Sequence, residues 1–201
     1  MITKGRLALY NSLFLVLISC NQNVNTIKAE GPLISITVNK TELVLIPNKG
    51  LVYYNNKPFT GVSEAFYSSD TIAERIEYTN GKKNGYSKKW FESGLLSFHA
   101  LYKNGAHKGE AKTWWRNGNL RSESIYTNGI ANGKQTQWYT NGAKFKEINL
   151  LNGKEQGLQR AWRKNGKIYN NYEAKNGRVF GLKRANLCYQ LDNEIIQYEK
   201  I

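Results

Sequence analysis

An all-β fold, an elongated single-layer antiparallel β-meander built from 24-residue hairpin repeats, is what this sequence predicts, and three registers in phase predict it. Asn-Gly recurs at Asn80-Gly81, Asn104-Gly105, Asn128-Gly129, Asn152-Gly153 and Asn176-Gly177, always 24 residues apart. A second glycine keeps that interval at Gly61, Gly85, Gly109, Gly133, Gly157 and Gly181, and a tryptophan keeps it at Trp90, Trp114, Trp138 and Trp162. A fixed period of this size marks a repeat protein, whose units bury apolar surface only against their neighbours.

Each unit reads as one hairpin plus the turn to the next. Two strand-like runs in residues 109–126 flank Asn117-Gly118, and the same inner turn recurs at Ser93-Gly94, Asn141-Gly142 and Asn165-Gly166. Asn-Gly between such runs favours a two-residue type I′ turn, because both central residues need positive φ. Residues 103–109 form the longer link to the next hairpin, with Gly105 and Gly109, and by register Gly81, Gly85, Gly129, Gly133, Gly153 and Gly157, at backbone positions that suit glycine. Counting back from Trp90 places Tyr54, Asn56, Gly61 and Phe66 in phase, so six units span residues 54–197, the outer two degenerate, and residues 198–201 close the chain. Residues 33–53 carry short β-branched runs expected to start the sheet and to cap its exposed end.

The pattern Tyr-x-Asn-Gly-x-x-x-Gly-x-x-x-x-Trp-x-x-Asn-Gly-x-Leu, best seen at residues 102–120, resembles the bacterial variant of the MORN repeat, a family that includes chains grouped as YwqK-type antitoxins. The resemblance covers roughly the last three-quarters of the chain and implies a scaffold fold used for many roles. Late units depart from the pattern: Leu150 and Ala174 replace the tyrosine, Lys144 the apolar residue after the turn, and Asn186 a tryptophan.

Residues 1–19 carry a second signal. Lys4 and Arg6 precede an apolar stretch over residues 7–18, too short to span a bilayer and shaped like the n- and h-regions of a secretory signal. Leu17-Ile18-Ser19-Cys20 resembles the lipobox of bacterial lipoproteins, which implies cleavage before Cys20 and lipidation of that cysteine. The alternative is an ordinary signal peptide with an incidental cysteine. Cleavage removes Lys4 and Arg6 and lowers the formal charge of +14 by two, leaving a strongly basic chain. Several acyl chains hold a protein stably at a membrane at about 0.8 kcal/mol per buried methylene. Residues 20–32 then form the lipidated tether, and the expected location is the outer membrane, facing the periplasm.

With Cys20 lipidated, Cys188 has no disulfide partner within the chain and reads as a packed strand residue. His99 and His107 lack the spacing of a zinc site, so neither a metal nor another cofactor is expected.

Two-residue inner turns would set Trp90 opposite Ser97, Trp114 opposite Arg121, Trp138 opposite Phe145 and Trp162 opposite Tyr169. The neighbours Phe91 with Leu96, Trp115 with Leu120, Tyr139 with Lys144 and Arg163 with Ile168 would then project from the other face. Successive tryptophans would lie about 9.6 Å apart by strand spacing, leaving Trp114 to form a cation–π pair with Arg121. The tryptophan column is either a spine of cross-strand packing or, with Lys88, Lys112 and Arg160 on the same face, a candidate ligand-binding surface for sugars or lipid headgroups. Glu123 opposite Lys112 partly neutralises it. The positive balance suits nucleic acid, but the export signal argues against that partner.

No hydrolase, phosphate-loop or metalloprotease motif occurs, so no catalytic residue is expected. Glu123 and Glu147 occupy equivalent positions about 9.6 Å apart, near the separation of an inverting carboxylate pair, although repetition explains their spacing more simply. The expectation is a non-catalytic, membrane-anchored lipoprotein whose sheet is a docking surface for an envelope protein or anionic glycan. Its alternatives are an antitoxin or immunity protein that binds a toxin, and an envelope hydrolase.

Overall fold

The computed structural model describes residues 36–183. The signal-like segment, Cys20, the tether, Cys188, Asn186 and the end of the sixth unit lie outside the described residues. Among the described residues there is no α-helix, and the only helical element is a 3-10 turn at Lys40–Glu42.

In chain order the strands are β1 (Thr37–Asn39), β2 (Val44–Ile46), β3 (Leu51–Tyr54), β4 (Lys57–Pro58), β5 (Gly61–Phe66), β6 (Ile72–Thr79), β7 (Lys82–Trp90), β8 (Leu96–Lys103) and β9 (Ala106–Trp114). They continue as β10 (Leu120–Thr127), β11 (Ile130–Ala131), β12 (Gly133–Trp138), β13 (Lys144–Leu151), β14 (Lys154–Glu155), β15 (Gly157–Trp162), β16 (Ile168–Lys175) and β17 (Arg178–Leu182). From β5 to β17 each main strand pairs antiparallel with its sequence neighbour, giving an open meander; β11 and β14 are short extensions on β10 and β13. The period-2 alternation and the glycine turns of each 24-residue unit therefore produce the hairpin array that the repeat predicts.

The two kinds of turn are exchanged relative to the sequence expectation. The tight type I′ turns are the outer ones: Lys103 pairs with Ala106 across two residues, and Asn104 and Gly105 have φ of 51° and 86°. The inner turn holds three residues, closed by Trp115 N–H donating to Asn119 O at 2.8 Å, with Gly118 N–H donating to Trp115 O at 2.9 Å. There only Gly118 is left-handed, at φ 85°. Asn117 keeps ordinary φ because its Oδ1 accepts from Asn119 N at 3.2 Å, a local bond that Asn141 and Asn165 repeat. A type I turn followed by a left-handed glycine and a bulge is the usual three-residue hairpin connection.

That exchange moves the register by one residue. Trp90 pairs with Leu96, Trp114 with Leu120, Trp138 with Lys144 and Trp162 with Ile168, each followed by a bulge. The expected partners Ser97, Arg121, Phe145 and Tyr169 instead fall at the bulge, where one strand carries a residue without a ladder partner.

Only part of residues 33–53 starts the sheet. Strand β1 joins it parallel to β5, whereas β2, β3 and β4 form a separate three-stranded sheet. The chain is turned away after β1 by the 3-10 turn, whose Asn39 cap accepts from Thr41 N while Glu42 accepts from Asn39 N. The small sheet is tied back by Val52 N–H donating to Gly81 O at 2.9 Å. Between the two sheets lies the main hydrophobic cluster, Val38, Phe59, Ile76 and Tyr78, against Leu43, Val52 and Tyr54.

From Ile76 of that cluster, burial continues along one cross-strand row whose other members are small, Ser63–Ile76–Ser87–Ala100–Ala111–Ser124, and loosens at the half-buried Ser124. Ala100 is wholly buried, and Ser63 and Ser87 are 1% exposed, although the sheet is one layer thick. Small residues sit there because the next row along supplies the cover. Tyr78, Tyr102 and Tyr126 stand opposite Gly61, Gly85 and Gly109, an aromatic ring filling the place a glycine leaves bare.

Several successive hairpins are fastened at both ends. Along the outer edge the glycine amide of four of the turns donates to the preceding unit: Gly81 to Phe59 O, Gly105 to Lys83 O, Gly129 to His107 O and Gly153 to Ala131 O, at 2.8 to 2.9 Å. Along the inner edge Tyr67, Trp115 and Tyr139 reach the carbonyls of Trp90, Trp138 and Trp162 at 2.8, 3.1 and 2.9 Å.

Candidate functional site

Lys88, Lys112 and Arg160 lie in one continuous cross-strand row: Glu64–Arg75–Lys88–His99–Lys112–Glu123–Thr136–Glu147–Arg160–Asn171. The row is largely neutralised from within. Arg75 pairs with Glu64, and Lys112 pairs with Glu123 at 2.9 Å and Glu110 at 3.0 Å. Those two carboxylates raise the Lys112 pKa. Lys88 lies over the Tyr86 ring at 5.6 Å, next to His99, which stacks on the same ring. Burial, then Lys88 and Lys112, lower the His99 pKa, so that the imidazole adds little positive charge at neutral pH.

Glu147 is the electrostatic centre of the later units. Only 5% exposed, it takes Lys144 at 2.9 Å, Lys134 at 3.0 Å and Arg160 at 3.1 Å. Burial works to raise its pKa, but the hydrogen bonds and charges of Lys144 and Lys134 outweigh it and bring the group down to about 2. A carboxyl held there carries no proton at neutral pH and supplies no general acid. Near the start of the array Glu74 is bound in the same manner by Lys40 and Lys89.

The four tryptophans of the column are half-buried rather than fully packed. Trp162 lies under two cations, Lys144 at 5.3 Å and Arg160 at 5.7 Å. Arg121 lies not over Trp114 but over the Trp115 ring at 4.7 Å, and Arg116 lies over Phe91 at 5.3 Å. The inner-turn bulge is the cause, since it turns residue 121 toward the ring that follows the column tryptophan.

Two open grooves meet at that stacked pair. One of about 470 Å³ is lined by Phe91, Trp114, Trp115, Arg116, Asn117, Arg121 and Thr140. The other, of about 510 Å³, continues past Trp115 and Arg121 to Trp138, Tyr139 and Phe145, with Thr113, Ser122 and Gln137 as its polar lining. Tyr139 and Phe145 pack at 5.0 Å between centroids. Of the sequence-predicted residues, Trp114 and Trp138 enter these grooves, whereas Lys88, Lys112 and Arg160 do not line them. Trp115, Arg116 and Phe91 complete the first groove. The signal that could have found them is the doubled Trp114-Trp115 beside Arg116, which occurs once in the chain.

The eight turn and bulge glycines predicted from the repeat all have positive φ, between 73° and 113°. They serve the backbone and take no part in either groove. His107 sits among aromatic rings, its Nε2 2.6 Å from Tyr102 Oη and its ring 4.8 Å from Tyr126. Among the described residues no three His, Cys, Asp or Glu side chains gather as a metal site would require. No family model matches the chain, and no curated protein matches it.

Proposed function

We propose that this chain is a non-catalytic, membrane-anchored lipoprotein of the MORN-repeat kind, whose sheet is a docking surface for another envelope component, a protein or an anionic glycan. The observation that carries the reading is the aromatic trough at the inner-turn edge. Its central hairpins are tied to the next unit through Trp115 and Tyr139 at the inner edge and through the glycine amides at the outer edge, so these rings are pre-ordered and little conformational entropy is lost when a partner settles on them. Anchoring rests on the lipobox-like Leu17-Ile18-Ser19-Cys20, with lipid on Cys20 and residues 21–32 as the tether to an outer-membrane leaflet. Nucleic acid and a cofactor have no part in this proposal.

A toxin-neutralising role, as an antitoxin or a periplasmic immunity protein, uses the same surface and differs only in the partner. An envelope hydrolase is less well supported, because Glu147 is tied to three cations and Glu123 to Lys112.

Two measurements test the proposal. Cys20→Ala should move the protein from the membrane to the soluble fraction while its circular dichroism spectrum stays that of a β-sheet; unchanged membrane association would refute the anchor. Affinity capture from the source envelope should return one near-stoichiometric protein or a bound glycan. A toxin as that protein selects the immunity reading, and no enriched partner of either kind refutes the docking role.

A further inference from the structure

We infer that the trough formed by the two grooves around Trp115 and Arg121 binds an acidic oligosaccharide, a chain of sugars bearing carboxylates. The inference deepens the docking proposal above by naming the ligand class of the same surface.

Charge comes first. Many of the basic side chains on this sheet are spent on carboxylates: Lys112 on Glu110 and Glu123, Arg75 on Glu64, and Lys134, Lys144 and Arg160 on Glu147. Arg116 and Arg121 are different. Among the described residues neither has an ion-pair partner, and both line the same groove. Each lies with its guanidinium over an aromatic ring, Arg116 over Phe91 and Arg121 over Trp115. A guanidinium that lies over a ring and has no carboxylate partner keeps N–H donors for an incoming anion, and its planar fork matches a carboxylate with two bonds. Ring stacking also limits the rotamers available to the two side chains, so less freedom is lost when an anion arrives.

The shape and the lining choose the body of the ligand. The trough is open to solvent and runs over three hairpins, from Phe91 past Trp115 to Phe145, which suits a chain laid along a surface rather than an enclosed small molecule. Its apolar lining is Phe91, Trp114, Trp115 and Trp138, the first and third each carrying a guanidinium, and its polar lining is Thr113, Ser122, Gln137 and Thr140. A sugar presents an apolar C–H face and a rim of hydroxyls, so it satisfies both at once. An extended peptide would need free backbone groups for strand addition. At this edge the backbone is already committed, with Trp115 N–H bonded to Asn119 O, Gly118 N–H to Trp115 O, and the Trp138 carbonyl to the Trp115 indole.

The test uses the full chain in detergent and a tetrasaccharide of galacturonic acid, titrated calorimetrically at low salt. Binding is expected, with affinity reduced about tenfold or more by Arg121→Gln, by Arg116→Gln and by methyl-esterification of the sugar carboxylates. Lys57→Gln, far from the trough, should leave it unchanged. The proposal is overturned by absence of binding, by equal affinity for the methyl ester, by insensitivity to both arginine variants, or by tighter binding of polyphosphate or a single-stranded oligonucleotide. If envelope capture yields a protein whose binding ignores Arg116→Gln and Arg121→Gln while the tetrasaccharide fails to bind, the docking role stands and the saccharide falls.

Discussion

The Trp115 indole Nε1 donates to the Trp138 carbonyl across 3.1 Å, 23 residues further along the chain. Tyr67 and Tyr139 make the equivalent bond to Trp90 and Trp162, so the ring that follows each column position, rather than the column tryptophan itself, fastens one hairpin to the next at this edge.

Phe91 occupies the same position and has no hydroxyl to offer the Trp114 carbonyl. Phe91→Tyr is therefore expected to stabilise the protein by about 0.5 to 1 kcal/mol, the net value of an ordinary hydrogen bond. Trp115→Phe should cost a similar amount by deleting one. Urea midpoints of the two variants against the parent give the answer, and a destabilised Phe91→Tyr would break the analogy between the units.

Trp114 is half-buried, so Trp114→Ala should cost about 2 kcal/mol, below the 3 to 5 typical of a fully packed aromatic. Equilibrium denaturation measures it. A loss within the fully packed range would make the column a buried spine.

Glu147 gives stability a predictable pH dependence. Its folded pKa of about 2 lies below the ordinary 4.5, so its contribution is fully present above about pH 4.5 and is lost as pH falls toward 2. A shift of this size corresponds to on the order of 3 kcal/mol. Glu74 is also lowered and acts in the same sense. Glu147→Gln should thus lower stability at neutral pH and flatten the acid limb of a plot of unfolding free energy against pH. An unchanged acid limb would show that the three cations do not hold the carboxylate in solution.

Gly85 and Gly109 share one repeat position but not one environment. A Cβ on Gly85, at φ 113°, would stand 1.9 Å from the Glu77 carboxylate that accepts from Tyr86 N, whereas one on Gly109, at φ 73°, would meet nothing within 4 Å. Gly109→Ala should cost about 1 to 2 kcal/mol from backbone strain alone. Gly85→Ala should cost clearly more, and thermal melts of the pair decide the order.

The interval of the Asn-Gly and tryptophan registers made the hairpin array legible in the sequence, because a repeat states its own length and period-2 strands between glycine turns leave few other folds. The same letters did not reveal which Asn-Gly forms the two-residue turn. That choice depends on contacts beyond the turn: Gly105 N–H is drawn to Lys83 O in the preceding unit, while Asn117 is held by its own Oδ1. Because side chains alternate faces, one residue of register was enough to exchange the partners of every column tryptophan. The charges of Lys112 and Arg160 were visible as charges, but their neutralisation by Glu110, Glu123 and Glu147 needed the cross-strand ladder. The sequence by itself determined the all-β class and the 24-residue unit, and it offered Cys20 as the candidate anchor. Only the tertiary structure decided that Arg121 lies on Trp115 and shares a groove with Arg116, because a bulge's direction is set by packing between strands and not by the period of the repeat.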